Sequence, residues 1–229
     1  FYFGEKARHF AVDHFAEGRN TLIGINDCSS GTLSEIFDRV ENVIYSPNRK
    51  PQILRNTSQR FRDFFSNRCN RQRFVDLINK THDDNKKLKI RDYYLFFLHV
   101  AGAPGLRAET TLVSTSVNRE VAYRFTNPYR LEKKEKLIFH YFIPAPFHYH
   151  AVAPWIFDFH QSIIAEYELP FYKSRGLYPS QKEVAVKGAL FPHFIIGVEL
   201  IRDKKFVVNS DERYIKDKGL PNINCSLKL

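Results

Sequence analysis

The chain has no methionine, a single tryptophan (Trp155) and three cysteines (Cys28, Cys69 and Cys225) in 229 residues. An odd number of widely spaced cysteines, none in a Cys-x-x-Cys pair, suggests neither a disulfide framework nor a cysteine metal site. A reducing working compartment is therefore expected. No apolar run reaches bilayer-spanning length, and no secretory signal opens the sequence. Because the chain starts at Phe1 and has no methionine, its natural start is expected to lie upstream or to have been removed, with any targeting segment gone with it. The triplets at Asn56, Asn79 and Asn224 match the glycosylation pattern, which is frequent by chance and has meaning only on a secretory route. Acidic residues are in short supply, 25 against 35 basic ones, for a net charge of +10. That balance favours acidic partners such as nucleic acid, an anionic membrane, an acidic protein face or a dinucleotide pyrophosphate. Its plainest reading is a solvated basic surface serving solubility.

With 43% hydrophobic residues, the length suits one compact domain with an elaborated end. Up to residue 89 the apolar spacing is helical: Ala7, Phe10, Ala11, His14 and Phe15, then Leu33, Ile36, Phe37, Val40 and Ile44. Thr32 and Ser34 stand where a helix cap belongs, with Glu35 in the first turn. Asn48 to Gln52 reads as a loop. Ser58 to Lys80 reads as an amphipathic helix or helix pair, with Arg60, Arg62, Arg68, Arg71 and Arg73 on its outer face. From Tyr93 the texture turns to strands: Tyr93 to Val100 as a strand buried on both faces, then Thr110 to Ser114, Leu137 to Ile143, Val184 to Val186, Phe194 to Ile201 and Phe206 to Val208. A short helix is expected over Asn118 to Phe125. The fold class is α+β, with a helical region 1–89 packed on a core 90–229.

Chemistry-bearing residues fall in the second part. His148, His150 and His160 raise the question of a metal, but no acid or cysteine nearby completes a ligand set, and loop and packing roles are expected. Glu183 opens a short apolar strand, where a sheet can hold its carboxylate partly out of water. A carboxylate held in that way suits a reaction that passes through an oxocarbenium ion. The bland alternative is an edge-strand glutamate facing solvent.

The block Gln181-Lys182-Glu183-Val184-Ala185-Val186-Lys187-Gly188, followed by the strand Phe194 to Val198, resembles the Gln-x-Glu signature of NAD-dependent mono-ADP-ribosyltransferases. Leu112-Val113-Ser114-Thr115-Ser116, ahead of it in the chain, resembles the Ser-Thr-Ser strand of the same family, and Ala122 with Phe125 its small-x-x-aromatic continuation. The resemblance covers about residues 90–202 and implies two small, mostly antiparallel sheets around an NAD cleft. It implies that Glu183 stabilises the ribosyl cation, Gln181 positions the acceptor, and Ser114 orients Glu183. Thr115 and Ser116 would brace the NAD site, and His99 would contact NAD, with Arg91 or Arg107 as substitutes. Phe171 to Ser180, including Arg175, would recognise the acceptor; a glutamine at position 181 implies asparagine, glutamine or guanine rather than arginine. NAD is the substrate and no metal is required. By family analogy the setting is a secreted toxin or effector acting on a macromolecule in a target cell. An NAD glycohydrolase, a non-turning-over relative, and a basic nucleic-acid-binding protein using Ser58 to Arg73 are the other readings.

Overall fold

The computed structural model describes residues 26–47, 50–102, 110, 112–125, 137–141, 151–156, 160–173, 178–187, 195–201 and 203–208. The helical reading of Ala7 to Phe15, the contact candidates Arg107 and Arg175, Gly188, His148, His150 and Cys225 lie outside these residues.

Among the described residues, five helices come first. Helix α1 spans Ser30–Tyr45, and its cap is Ser29, whose Oγ accepts the Thr32 N–H at 3.3 Å. Thr32 and Ser34, the expected caps, fall inside the helix. Leu33, Ile36, Phe37, Val40 and Val43 recur at helical spacing and are all buried. Helix α2 spans Lys50–Asn56, so the loop expected as far as Gln52 is helical from Lys50 onward. Pro51 stands in its first turn, where the N–H it lacks would have no helical partner. The stretch from Ser58 to Lys80 is a helix pair, α3 (Gln59–Ser66, capped by Ser58) and α4 (Asn70–Asn79).

Helix α5, Asp84–Ala101, corrects the largest error of the sequence reading: Tyr93 to Val100 is helical, not a strand. Asp83 caps it by accepting the N–H groups of Asn85 and Lys86. Every residue from Ile90 to Ala101 is buried. A continuous apolar run is compatible with either a buried strand or a buried helix. The charged, capped lead-in from Asp83 to Lys89 extends the run to helical length, while its aromatic composition favours a strand. The helix also runs through the expected boundary between residues 89 and 90.

The remaining elements are β1 (Leu112–Ser116), α6 (Arg119–Phe125), β2 (Leu137–Tyr141), β3 (Ala151–Val152), α7 (Ser162–Glu166), β4 (Glu183–Lys187), β5 (Ile195–Leu200) and β6 (Lys205–Val208). They build two three-stranded antiparallel sheets, ordered β1-β4-β3 and β2-β5-β6. The fold class is α+β. Strand β3 is not among the strands expected from the sequence.

Aromatic rings fill the space around α5. Phe61 lies 4.9 Å from Phe97 and 4.8 Å from Phe65, Phe74 lies 5.1 Å from Tyr94, and Tyr93 stacks on Tyr172 at 4.2 Å. Each such side chain contributes roughly 1.5–3 kcal/mol by leaving water. Together they make α5 the axis on which the helical part and the β1-β4-β3 sheet both pack.

Candidate active site

The site begins with the register of two strands. Ser116 pairs with Glu183, Ser114 with Ala185 and Leu112 with Lys187. Directly opposed residues share a face and alternate along each strand. Ser114, Ser116, Glu183, Ala185 and Lys187 therefore lie on one face, and buried Ala185 and Lys187 show that this face is turned toward α5.

Helix α5 meets that face at two levels. Asp92 Oδ2 forms an ion pair with Lys187 Nζ, both residues being only 2% exposed. Two turns further on, His99 Nε2 lies 2.9 Å from Ser114 Oγ and 3.7 Å from Glu183 Oε1. Asp92 and His99 are separated by about 10.5 Å along a helix, and Lys187 and Glu183 by about 13 Å along a strand. The buried ion pair thus sets the level at which His99 meets Glu183. His99 Nδ1 lies 3.0 Å from Thr110 Oγ1, so both ring nitrogens are engaged by hydroxyls.

Glu183 is 8% exposed. The Trp155 indole N–H donates to its main-chain carbonyl at 2.6 Å, fixing the strand at that residue. The nearby Tyr172 phenol titrates well above its usual range, because of burial first and then the neighbouring Tyr93, Tyr94 and Glu183.

Gln181 ends a short 3₁₀ turn, Pro179–Gln181, and Lys182 follows in the left-handed conformation at φ 43°. That conformation costs an L-residue about 1–2 kcal/mol. It turns the chain so that Gln181 stays half-buried at the rim while Glu183 enters the sheet. Ser116 Oγ donates to the Gln181 carbonyl at 2.7 Å, the Val117 N–H to the Lys182 carbonyl at 3.3 Å, and Thr115 Oγ1 to the Val184 carbonyl. Thr115 and Ser116 brace the Gln181–Val184 backbone through their hydroxyls.

Of the other five expected site residues, Ser114, Thr115, Ser116 and His99 lie on β1 and α5 beside the strand of Glu183, and Gln181 precedes it at the rim. Of the substitutes for His99, Arg91 is fully buried and donates to Asp92 Oδ1 at 3.1 Å. Residues without an expected role are also part of the arrangement: Asp92 and Lys187 set its level, Thr110 holds His99, and Trp155 holds Glu183. Trp155 is the only tryptophan, and this singularity was the one signal available for it. The other three carry no local signal, because their role arises from packing a helix on a sheet.

Elsewhere, His160 is fully buried, and burial pushes its imidazole well below the usual range. Among the described residues no group of three histidines, cysteines or acids could hold a metal ion, and no helix is long and apolar enough to cross a membrane. Comparison with protein-family models, curated proteins and solved structures finds no match for this chain.

A largely desolvated carboxylate beside a histidine and a serine, with a carboxamide two residues away at the rim, can stabilise a developing cation. It can also orient a nucleophile approaching from solvent.

Proposed function

We propose that this protein is an NAD-dependent mono-ADP-ribosyltransferase acting on a macromolecule. The observation that carries this reading is Glu183, sunk in the β1-β4-β3 sheet, with His99 at 3.7 Å from its carboxylate, Ser114 bonded to that histidine, and Gln181 at the rim. In the proposed reaction the bond from ribose C1 to the nicotinamide nitrogen breaks, and its electron pair neutralises the pyridinium as nicotinamide leaves. Glu183 opposes the positive charge on the ribose. A lone pair of the acceptor, oriented by Gln181, then forms the new bond to C1 and the acceptor loses a proton to solvent. NAD and acceptor give ADP-ribosyl-acceptor, nicotinamide and a proton. The reaction is a glycosyl transfer, with no metal and no second cofactor. The site requires a target macromolecule, which fits an effector or toxin working inside a target cell.

The basic face of α3 and α4 gives less support to a nucleic-acid-binding function. Arg71 pairs with Asp38 and Arg68 with Glu41, while Arg62 bonds Thr57 and Gln59. These cations are engaged by neighbours on the protein.

The test is incubation of the chain with radiolabelled NAD and cell lysate, with protein and nucleic-acid fractions resolved separately. Label on one fraction is expected, and Glu183→Gln should lower it at least about 10²-fold, as for loss of one preorganised charge-stabilising group. Circular dichroism should show the variant folded. Release of nicotinamide without label would replace transfer by hydrolysis of NAD, and no consumption of NAD with several lysates would refute the reading.

A further inference from the structure

Arg119, the first residue of α6, holds Glu199 on the central strand of the second sheet with two hydrogen bonds, one of them Nε to Oε2 at 3.0 Å. Glu199 is buried, and His140 Nε2 from the neighbouring strand lies 3.3 Å from its Oε2. Phe206 stands edge-on to His140 at 4.9 Å, over Gly197, where any Cβ would collide with it. The carboxylate is therefore held by Arg119 from helix α6 and by His140 from the neighbouring strand, whose ring Phe206 packs against. The hydrogen bond from Arg119 is the largest cause holding the Glu199 carboxyl below its usual range, against the burial that opposes it.

The arginine end is just as firmly connected. Asn118, the preceding residue, accepts the Glu120 N–H on its side chain at 2.9 Å and donates its own N–H to Ser116 Oγ at 3.0 Å. Ser116 Oγ in turn donates to the Gln181 carbonyl at 2.7 Å. A continuous series of bonds thus runs from Glu199 in one sheet through Arg119, Asn118 and Ser116 to Gln181 at the rim of the other.

We infer that Arg119 is a positioning residue: its pair with Glu199 registers Gln181 against the second sheet and so sets how the acceptor meets the site. This rests on the transferase reading, in which Gln181 faces the acceptor and Glu183 the ribose. Glu183 has its own fixings, to Trp155 and across from His99, which do not pass through Arg119. Loosening Arg119 should therefore impair transfer to the acceptor more than cleavage of NAD.

The experiment compares wild type, Arg119→Gln and Arg119→Lys as full chains, by two measurements. Amide hydrogen exchange over residues 178–187 should speed up about tenfold in Arg119→Gln, as expected of local opening. The ratio of ADP-ribose transferred to nicotinamide released should fall about tenfold, the order of effect expected of a misplaced reactant, and recover in part in Arg119→Lys. Unchanged exchange over 178–187 overturns the inference whether or not the protein consumes NAD. With NAD consumed, a ratio equal to that of wild type also overturns it. Faster exchange in a protein that leaves NAD intact would uphold the registration of Gln181 and refute the transferase reading alone.

Discussion

Replacing Asp92 by asparagine should be far more damaging than replacing its partner Lys187 by methionine. Asp92 lies between two buried cations, Arg91 Nη1 at 3.1 Å and Lys187 Nζ, with all three residues 2% exposed or less. Asp92→Asn keeps the shape but removes the negative charge, leaving Lys187 and Arg91 as cations in the interior. Removing one partner of a buried pair costs about 3–5 kcal/mol. Lys187→Met removes one cation, leaves Asp92 balanced by Arg91, and fills the space with an unbranched apolar chain. Its cost should be about 1–2 kcal/mol, in the range of a core swap of similar size. The decisive species is the double variant. With both changes the uncompensated Lys187 charge is gone, so Asp92→Asn/Lys187→Met should be at least about 1.5 kcal/mol more stable than Asp92→Asn alone. Urea unfolding followed by circular dichroism reads these differences as midpoints at constant slope. The single Asp92→Asn variant is expected to lose a large part of a total stability of about 5–15 kcal/mol. If it does not fold, recovery of folding in the double variant carries the same information. A Lys187→Met cost equal to that of Asp92→Asn, or a double variant no more stable than Asp92→Asn, would refute the view that charge balance decides this site.

Two further outcomes follow from the same structure. Burial holds the His160 imidazole below its unfolded value near 6.5, so the unfolded chain binds more protons as pH drops. Stability from this residue is whole above about pH 6.5 and declines by up to about 1.4 kcal/mol per unit below it. His160→Phe should narrow the difference in stability between pH 7.5 and 5.5 by about 1 kcal/mol, measured by urea unfolding at both values; an unchanged difference would count against a neutral buried imidazole. At Gly197 an added Cβ would stand 2.6 Å from both the Phe206 ring and the Val207 carbonyl oxygen. Gly197→Ala should cost about 1–3 kcal/mol by thermal unfolding, and Gly197→Ala/Phe206→Leu should recover only part of it, because the carbonyl stays.

How much of this was legible in the sequence depended on whether an element's pattern was set locally. Leu33, Ile36, Phe37 and Val40 announce α1 because one face is buried and the other wet. The strands at Leu137, Glu183, Ile195 and Lys205 were found to within a few residues, since short β-branched or apolar runs between turns have few other uses. Helix α5 was misread because burial on all sides erases the 3.6-residue period that identifies a helix. That error bears directly on the site. The sequence puts His99, the expected NAD contact, on a strand, whereas it reaches Ser114 and Glu183 from a helix laid across the sheet. Strands β1 and β4, by contrast, pair directly as neighbours in one sheet. Within that pair the expected residues are held by one another: Ser116 and Thr115 bond the backbone on either side of Glu183, and Trp155 bonds Glu183 itself. A glutamate that merely capped an edge strand would need none of these fixings. All three bonds end on main-chain carbonyls, so they fix the backbone from Gln181 to Val184 and with it the place from which the Glu183 carboxylate faces His99.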